Sequence, residues 1–351
     1  VKPRLLVIEL HHLGDAVMAL PFVRGAAGEF DVHVLCRPAS AEVYRLLENP
    51  PVVHEWNPPW NEESSTSPLE CLRAARDKGH ELAEHNFSAT VCAWADPRAT
   101  LVAAATKASK RIGFPTNRTN FYAPSAPGRA ARLLLGRMIE TFLPQLTHPL
   151  LAGLRSPHIE RWSQMAGALG LECDFSLPWI PMPSVSKNPR PVLGIHRQAR
   201  LPSKQWPIEK WDELLAMEAV RSRFEIVEIF PCSAGVPPAN EIQTDGRDAR
   251  PTLQTPDLPA LVAALASCDA ILCHDSFPAH LAAALGKPVV TIFGSGEPDW
   301  FAPWNNRQRA VHKRVCPLHP CIDRCGMPRY ICLDEIQPAE VLRQLELITF
   351  A

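Results

Sequence analysis

The run RLLVIEL at residues 4–10 constrains the fold more than any other feature of the chain. It is short, apolar and β-rich, so it reads as a parallel strand buried on both faces. A segment with helical spacing follows. In DAVMALPFVRGAAGEF (15–30), Ala16, Leu20, Val23 and Ala27 recur on one side, and Pro21 should bend the helix. The alternation then repeats, with DVHVLCR (31–37), FSATVCAWA (87–95) and KRIGF (110–114) as further strands. Strands alternating with helices indicate βαβ units, hence a doubly wound α/β domain. Residues 56–68, WNPPWNEESSTSP, read as a Pro/Ser loop.

The same pattern restarts after SLPWIPMPSVSKNPRP (176–191), which is too rich in proline for a helix interior. VLGIH (192–196), RFEIVEIF (223–230), DAILCHD (269–275) and KPVVTIFG (287–294) read as strands. WPIEKWDELLAME, LPALVAALASC and FPAHLAAALG read as the helices between them. IQPAEVLRQLELI has a helical period with Pro338 near its first turn. At 351 residues the chain suits two domains of about 150 residues each. We place them at 1–178 and 192–335, with a linker at 179–191 and a terminal helical segment at 336–351. Residues 231–256, rich in Pro, Gly and charge, read as a mobile insertion loop in the second domain.

In open α/β folds ligands bind beyond the carboxyl ends of the strands, so chemistry is sought there. After the first strand comes His11-His12-Leu13-Gly14-Asp15. Gly14 would let the backbone turn. Asp15 falls at a helix start, where it is either an N-cap or a general base facing the cleft. After the strand 269–275, Ser276 can cap, Pro278 lies in the first turn, and His280 is nearby. This helix start is either an anion site for a phosphate or an ordinary capped helix. Arg197, Arg200 and Lys204 cluster after the strand 192–196; they are phosphate counter-charges or solvated surface.

The net charge of −1 advertises no polyanion partner, and no nucleic acid is expected. The segment from Pro97 to Met138 nevertheless holds eight basic residues (Arg98, Lys107, Lys110, Arg111, Arg118, Arg129, Arg132, Arg137) and no acidic one. It reads as a field for anionic lipid or phosphate, or as solvated surface. No apolar run is long enough to span a bilayer, and Leu5–Leu10 is too short for a secretory core. Eleven cysteines without an export signal point to a reducing compartment. Among them Cys316, Cys321, Cys325 and Cys332 are free thiols by default; a structural zinc or a disulfide is the alternative, and the spacing lacks the paired CxxC form.

Together these residues resemble the ADP-heptose:lipopolysaccharide heptosyltransferases, glycosyltransferase family 9. LLVIELHHLGDAVMALPFVRGA is similar to the family's opening strand, Gly-Asp turn and proline-containing helix. LPSKQWPIEKWDELL is similar to its basic-x-Trp-Pro-x-x-x-Trp segment, and CDAILCHDSFPAHLAAALGKPVVTIFGSGEPDWFAPW to its donor-binding helix with the loops that follow. The late cysteine region before a final I-x-P-x-x-V helix is also shared. The matches run in order along the whole chain.

The resemblance implies a GT-B architecture, two Rossmann-like doubly wound domains facing across a cleft. It implies inverting transfer of a heptose from ADP-heptose, bound by the second domain, to a lipopolysaccharide-core or related envelope glycan, bound by the first. Asp15 matches the family's base. Lys204 matches its phosphate-binding basic position. Asp275, Ser276 and His280 match the start of the donor helix, and Phe277 and His196 are counted with them. His11, His12 and Gly14 would line the acceptor side. No cofactor or metal is implied. The expected setting is cytoplasmic, with a lipid-linked anionic acceptor and peripheral contact at the inner membrane face. Phe277 stands where the family has glycine, EIFPCSAGVPP replaces its Gly-rich strand end, and His11-His12 replaces a small polar pair. These departures motivate an alternative, a non-catalytic nucleotide-sugar-binding GT-B protein. A nicotinamide oxidoreductase is disfavoured, because no G-x-G-x-x-G follows either opening strand.

Overall fold

The computed structural model describes residues 1–60, 66–115, 146–150, 156–184, 189–231, 252–304, 307–322 and 325–349. The chain divides into two compact units, Val1–Phe175 and Ser176–Ala351.

Among the described residues, the first unit is built on six parallel strands: β1 (Arg4–Glu9), β2 (Asp31–Cys36), β3 (Val52–Glu55), β4 (Ala89–Cys92), β5 (Lys110–Gly113) and β6 (His148–Pro149). Their order is β3-β2-β1-β4-β5-β6. The helices are α1 (Leu13–Ala26), α2 (Pro38–Arg45), α3 (Pro68–Leu82), α4 (Pro97–Ala105) and α5 (His158–Leu169). Leu5 to Val7 are wholly buried, as a strand covered on both faces requires. Leu6 and Ile8 pack with Ala75 and Leu82 of α3 and Val102 of α4. Phe22 of α1 meets Trp162 of α5, ring centroids 5.2 Å apart. Full burial of such side chains contributes about 1.5–3 kcal/mol each.

The second unit repeats the plan with β7 (Val192–His196), β8 (Glu225–Pro231), β9 (Thr252–Thr255), β10 (Ala270–His274), β11 (Val289–Ile292) and β12 (Gln308–Val311). All pair in parallel, in the order β12-β11-β10-β7-β8-β9. Its helices are α6 (Ile208–Ala216), α7 (Glu218–Arg221), α8 (Leu258–Ser267), α9 (Phe277–Ala284), α10 (Pro298–Phe301), α11 (Ile331–Asp334) and α12 (Pro338–Thr349). Trp211, Leu214 and Leu215 of α6 share a core with Leu193, Leu272 and Val290 of the sheet and Val341, Leu345 and Ile348 of α12. Both sheets thus have the doubly wound order, with the central reversal between β1 and β4 in one and between β7 and β10 in the other.

Gly14 does not make the turn after β1. It lies inside the first turn of α1, and His12, extended at φ −106° and ψ 164°, is the N-cap. Asp15 is therefore the third helical residue rather than a cap. The loop read over 56–68 ends earlier than its last residue, because Ser67 caps α3 and Pro68 opens it. Of the insertion read over 231–256, residues 252–255 form the edge strand β9, fixed to β8 by backbone pairing and by Thr255 Oγ1 donating to Phe230 O at 2.8 Å. The remainder of that insertion, 232–251, lies outside the described residues, as do Arg118, Arg129, Arg132 and Arg137 of the basic stretch. Among the described residues no helix is long and apolar enough to cross a membrane.

Candidate functional site

In the first unit the reversal point gathers an unusual set of buried polar groups. Glu9 closes β1 with only 1% of its surface exposed. Its Oε1 accepts the His11 N–H at 3.0 Å and lies 3.5 Å from His11 Nδ1. The His11 ring stacks on Trp94, just past β4, with centroids 4.6 Å apart. The Arg161 guanidinium of α5 lies over the same Trp94 ring, 4.9 Å from its centroid. Asp96 caps α4, accepting the Arg98 N–H at 2.9 Å and the Arg98 guanidinium at 2.7 and 2.9 Å. Burial pushes the His11 pKa down, but the bond to Glu9 and the charges of Glu9, Asp15 and Asp96 more than offset this and raise it.

Asp15 is held from two sides. Its Oδ2 accepts the His12 N–H at 3.0 Å, and its Oδ1 lies 3.2 Å from His158 Nδ1 of α5. Burial pushes the carboxyl up; the His158 hydrogen bond and charge, with His12 and His11, outweigh it and hold Asp15 well below the usual carboxylate range. Asp15 and His11 are thus brought together at one sheet edge. His12 is exposed and contributes through its backbone.

In the second unit the reversal point lies between His196, ending β7, and His274, ending β10. Both are buried, and burial pushes His196 down to about 4 and His274 to about 3, the latter with a contribution from His196. His274 has a structural task. Its Nε2 accepts the Trp206 N–H at 2.9 Å and the Trp211 Nε1–H at 3.3 Å, which anchors the Trp-Pro-x-x-x-Trp segment to the sheet. That segment follows the 3-10 turn Pro202–Lys204. Lys204 Nζ lies 2.7 Å from Asp275 Oδ2. Gly296 gives Asp275 its room, since a Cβ there would come within 2.5 Å of the same oxygen. The Ser295 N–H donates to Ser203 O at 3.0 Å, and its hydroxyl donates to Ile322 O at 2.6 Å. The loops after β7 and β11 and the cysteine-rich segment are thus joined around Lys204.

Not every sequence candidate is equally placed. Ser276 occupies the N-cap of α9, but its hydroxyl donates to His274 O at 3.2 Å rather than accepting from the helix. Pro278 has no N–H, and the Ala279 N–H already donates to Ser276 O, so the helix start offers fewer donors than a proline-free one. Phe277 and His280 are half-buried at this start. Arg197 is committed to Glu228 by two bonds of 2.7 Å and to Asp212 at 3.3 Å. The described cysteines are free thiols. Burial, followed by Cys325, Cys332 and Cys316, pushes the Cys321 thiol up to about 12. Among the described residues no group of histidine, cysteine and carboxylate side chains is disposed to hold a metal.

Sequence reasoning missed Glu9, Trp94, Asp96, His158 and the role of His274. A charge inside an apolar strand, and an Asp-Pro pair after one, were available signals for Glu9 and Asp96. His158 had none, because its partner is remote in sequence.

The chain is 29% identical over 160 residues to lipopolysaccharide heptosyltransferase 2 of Salmonella typhimurium, covering 43% of each protein. It is 30% identical over 163 residues to the Escherichia coli protein of that name, covering 44% of this chain and 46% of the relative. The chain thus spans about half the length of the curated relatives it matches. Its fold is that of a family 9 glycosyltransferase from Veillonella parvula (TM-score 0.70, 14% identity, 99% of this chain and 98% of that one). It is likewise that of E. coli heptosyltransferase WaaC with ADP (TM-score 0.67, 15% identity, 98% and 99%). E. coli ADP-heptose LPS heptosyltransferase II is similar too (TM-score 0.64, 20% identity, 99% and 98%). These establish the GT-B fold class, two Rossmann-like domains in one chain. The sequence model described as glycosyltransferase family 9 (heptosyltransferase) matches residues 79–327, well over half of the chain, and the protein belongs to that family.

Proposed function

We propose that the chain is an inverting glycosyltransferase that moves a heptose from ADP-heptose to a lipopolysaccharide-core or related envelope glycan, with Asp15 as general base. The observation that carries this reading is the Asp15 carboxylate itself. It is 12% exposed, held well below the usual carboxylate range by His158 and fixed by two donors at the reversal point of the first sheet, in a family 9 chain. A sugar hydroxyl is a poor nucleophile until its proton has somewhere to go, and a carboxylate kept ionised at neutral pH is ready to take it. The departing diphosphate gains negative charge, which a lysine and fixed backbone dipoles stabilise. Lys204, its partner Asp275, and His196, Ser276, Phe277 and His280 are the donor side of this proposal. His11, His12 and Gly14 are the acceptor side. The names of the curated relatives support the acceptor class, and the ADP of the WaaC structure supports the nucleotide. With a lipid-linked acceptor, the proposed setting is the inner face of the cytoplasmic membrane.

The test is Asp15→Asn assayed with ADP-heptose and a heptose-deficient core acceptor. Transfer should fall by at least about 100-fold, with calorimetric binding of ADP-heptose retained. Persistent turnover would rule Asp15 out as the base. A thermal-shift panel of ADP-, GDP-, UDP- and CMP-sugars reads the nucleotide, because the cognate ligand raises the melt most. Phe277, standing where the family has glycine, favours one second reading, donor binding without transfer. Wild-type protein that binds ADP-heptose yet turns over no envelope acceptor would select it.

A further inference from the structure

Asp15 does not stand alone. His158 opens α5, and only 3% of it is exposed. Its Nδ1 lies 3.2 Å from Asp15 Oδ1, while its Nε2 has no hydrogen-bond partner among the described residues. The carboxylate can only accept, so the ring proton sits on Nδ1 and the ring donates. The imidazole is packed in place by Trp94, with centroids 4.8 Å apart, and by Trp162, at 6.2 Å. The His12 N–H grips the opposite oxygen at 3.0 Å. Two donors, one from the helix's own cap and one from a remote helix, thus fix the plane of a carboxylate that would otherwise turn about its Cβ–Cγ bond.

We propose that His158 is a positioning residue for glycosyl transfer, holding the Asp15 carboxylate by an Nδ1–H···Oδ1 bond so that its remaining lone pairs meet the acceptor hydroxyl. This rests on the reading of Asp15 as the base. In the step, the acceptor O–H bond breaks and its proton goes to Asp15. The acceptor oxygen bonds the anomeric carbon, and the bond from that carbon to the diphosphate breaks with its electron pair leaving on ADP. His158 keeps its proton throughout. Besides His158, the groups facing Asp15 are His11 and His12 from the preceding turn and Tyr44 from α2. Glu9 and Asp96 lie beyond His11. With His158 removed, the Asp15 carboxyl rises toward the ordinary carboxylate range, so the acid limb of the rate profile moves to higher pH.

The experiment compares His158→Phe with His158→Asn, whose side-chain amide can stand where Nδ1 stands. In His158→Phe, kcat should fall by about 100-fold, as expected for a misplaced reacting group. KM should stay within about twofold, and the acid limb should move up. His158→Asn should restore much of kcat and keep the limb low. A merely structural histidine would lower stability without moving the limb, and that result, or an unchanged kcat in His158→Phe, overturns the proposal. If His158→Phe does not fold, His158→Gln replaces it, since its amide reaches the Nε2 position instead; Gln should show the raised limb and Asn should not. Asp15→Asn is run alongside. Retained transfer there refutes the base reading itself, whereas an inactive Asp15→Asn with an unmoved limb in the His158 variants refutes only the pairing.

Discussion

Replacing His274 by leucine tests how the second unit holds its donor-side turn. The ring is fully buried, and its Nε2 is the acceptor for both the Trp206 N–H at 2.9 Å and the Trp211 Nε1–H at 3.3 Å. Leucine fills comparable space but accepts nothing, so two buried donors are stranded. Each costs about 1–3 kcal/mol, about 4 kcal/mol together. Urea unfolding followed by tryptophan fluorescence should show the transition of the second unit moved by that amount. The same ring must stay neutral while it accepts. Its pKa is pushed down to about 3, against an ordinary value of 6.5. The folded state therefore resists a proton that the unfolded state takes up. Stability is unaffected above pH 6.5 and falls as pH drops below it, by up to about 1.4 kcal/mol per pH unit for each such histidine. His196, pushed down to about 4, adds a second proton to this slope in the wild type. His274→Leu should lose one of the two. Because Trp206 follows the turn that carries Lys204, ADP-heptose binding should weaken as well. A loss of stability below about 1 kcal/mol, within the range of a single ordinary hydrogen bond, together with an unchanged acid slope, would refute the clamp.

Two further substitutions test the surroundings. Gly296→Ala should push Asp275 away from Lys204, because the new Cβ would lie 2.5 Å from Asp275 Oδ2; calorimetry should show ADP-heptose affinity changed by about tenfold, equivalent to 1.4 kcal/mol, with the thermal melt nearly unchanged. Arg197→Ala leaves Glu228, 6% exposed, without its bidentate partner. It should cost about 3 kcal/mol in urea unfolding and leave transfer by the folded fraction intact, which distinguishes Arg197 from Lys204.

The two sheets were legible because their inner strands are uninterrupted apolar runs. VLGIH, apolar up to its final histidine, is a strand over the whole of 192–196. The apolar pattern of 68–82 is too weak to announce a helix, although its Ser-Pro-Leu-Glu start carries a capping box. There the Ser67 N–H donates to Glu70 Oε2 at 2.8 Å and the Glu70 N–H to Ser67 Oγ at 3.3 Å. The strand at 252–255 was hidden by the Pro- and Gly-rich residues before it. At the candidate site, Asp15 and Lys204 stand out in the sequence because each lies in a segment that follows a strand, whereas Asp275 enters only through the family resemblance. What remained hidden is long-range: the tie between Asp15 and His158, and that between His274 and the two tryptophans. Local pattern does not encode which remote helix closes on a turn, and only the sheet order brings those partners together.

The place of α12 in the second core has a consequence for how the protein is made. Val341, Leu345 and Ile348 seal the face formed by β7, β10 and β11, so that face stays open to water until the ribosome has translated through residue 348. In the first unit, by contrast, the described core residues around β1 all lie within Val1–Phe175. Folding during synthesis is thus staggered: the half bearing Asp15 can close early, while the half bearing Lys204 waits with an apolar sheet exposed and depends longest on chaperones.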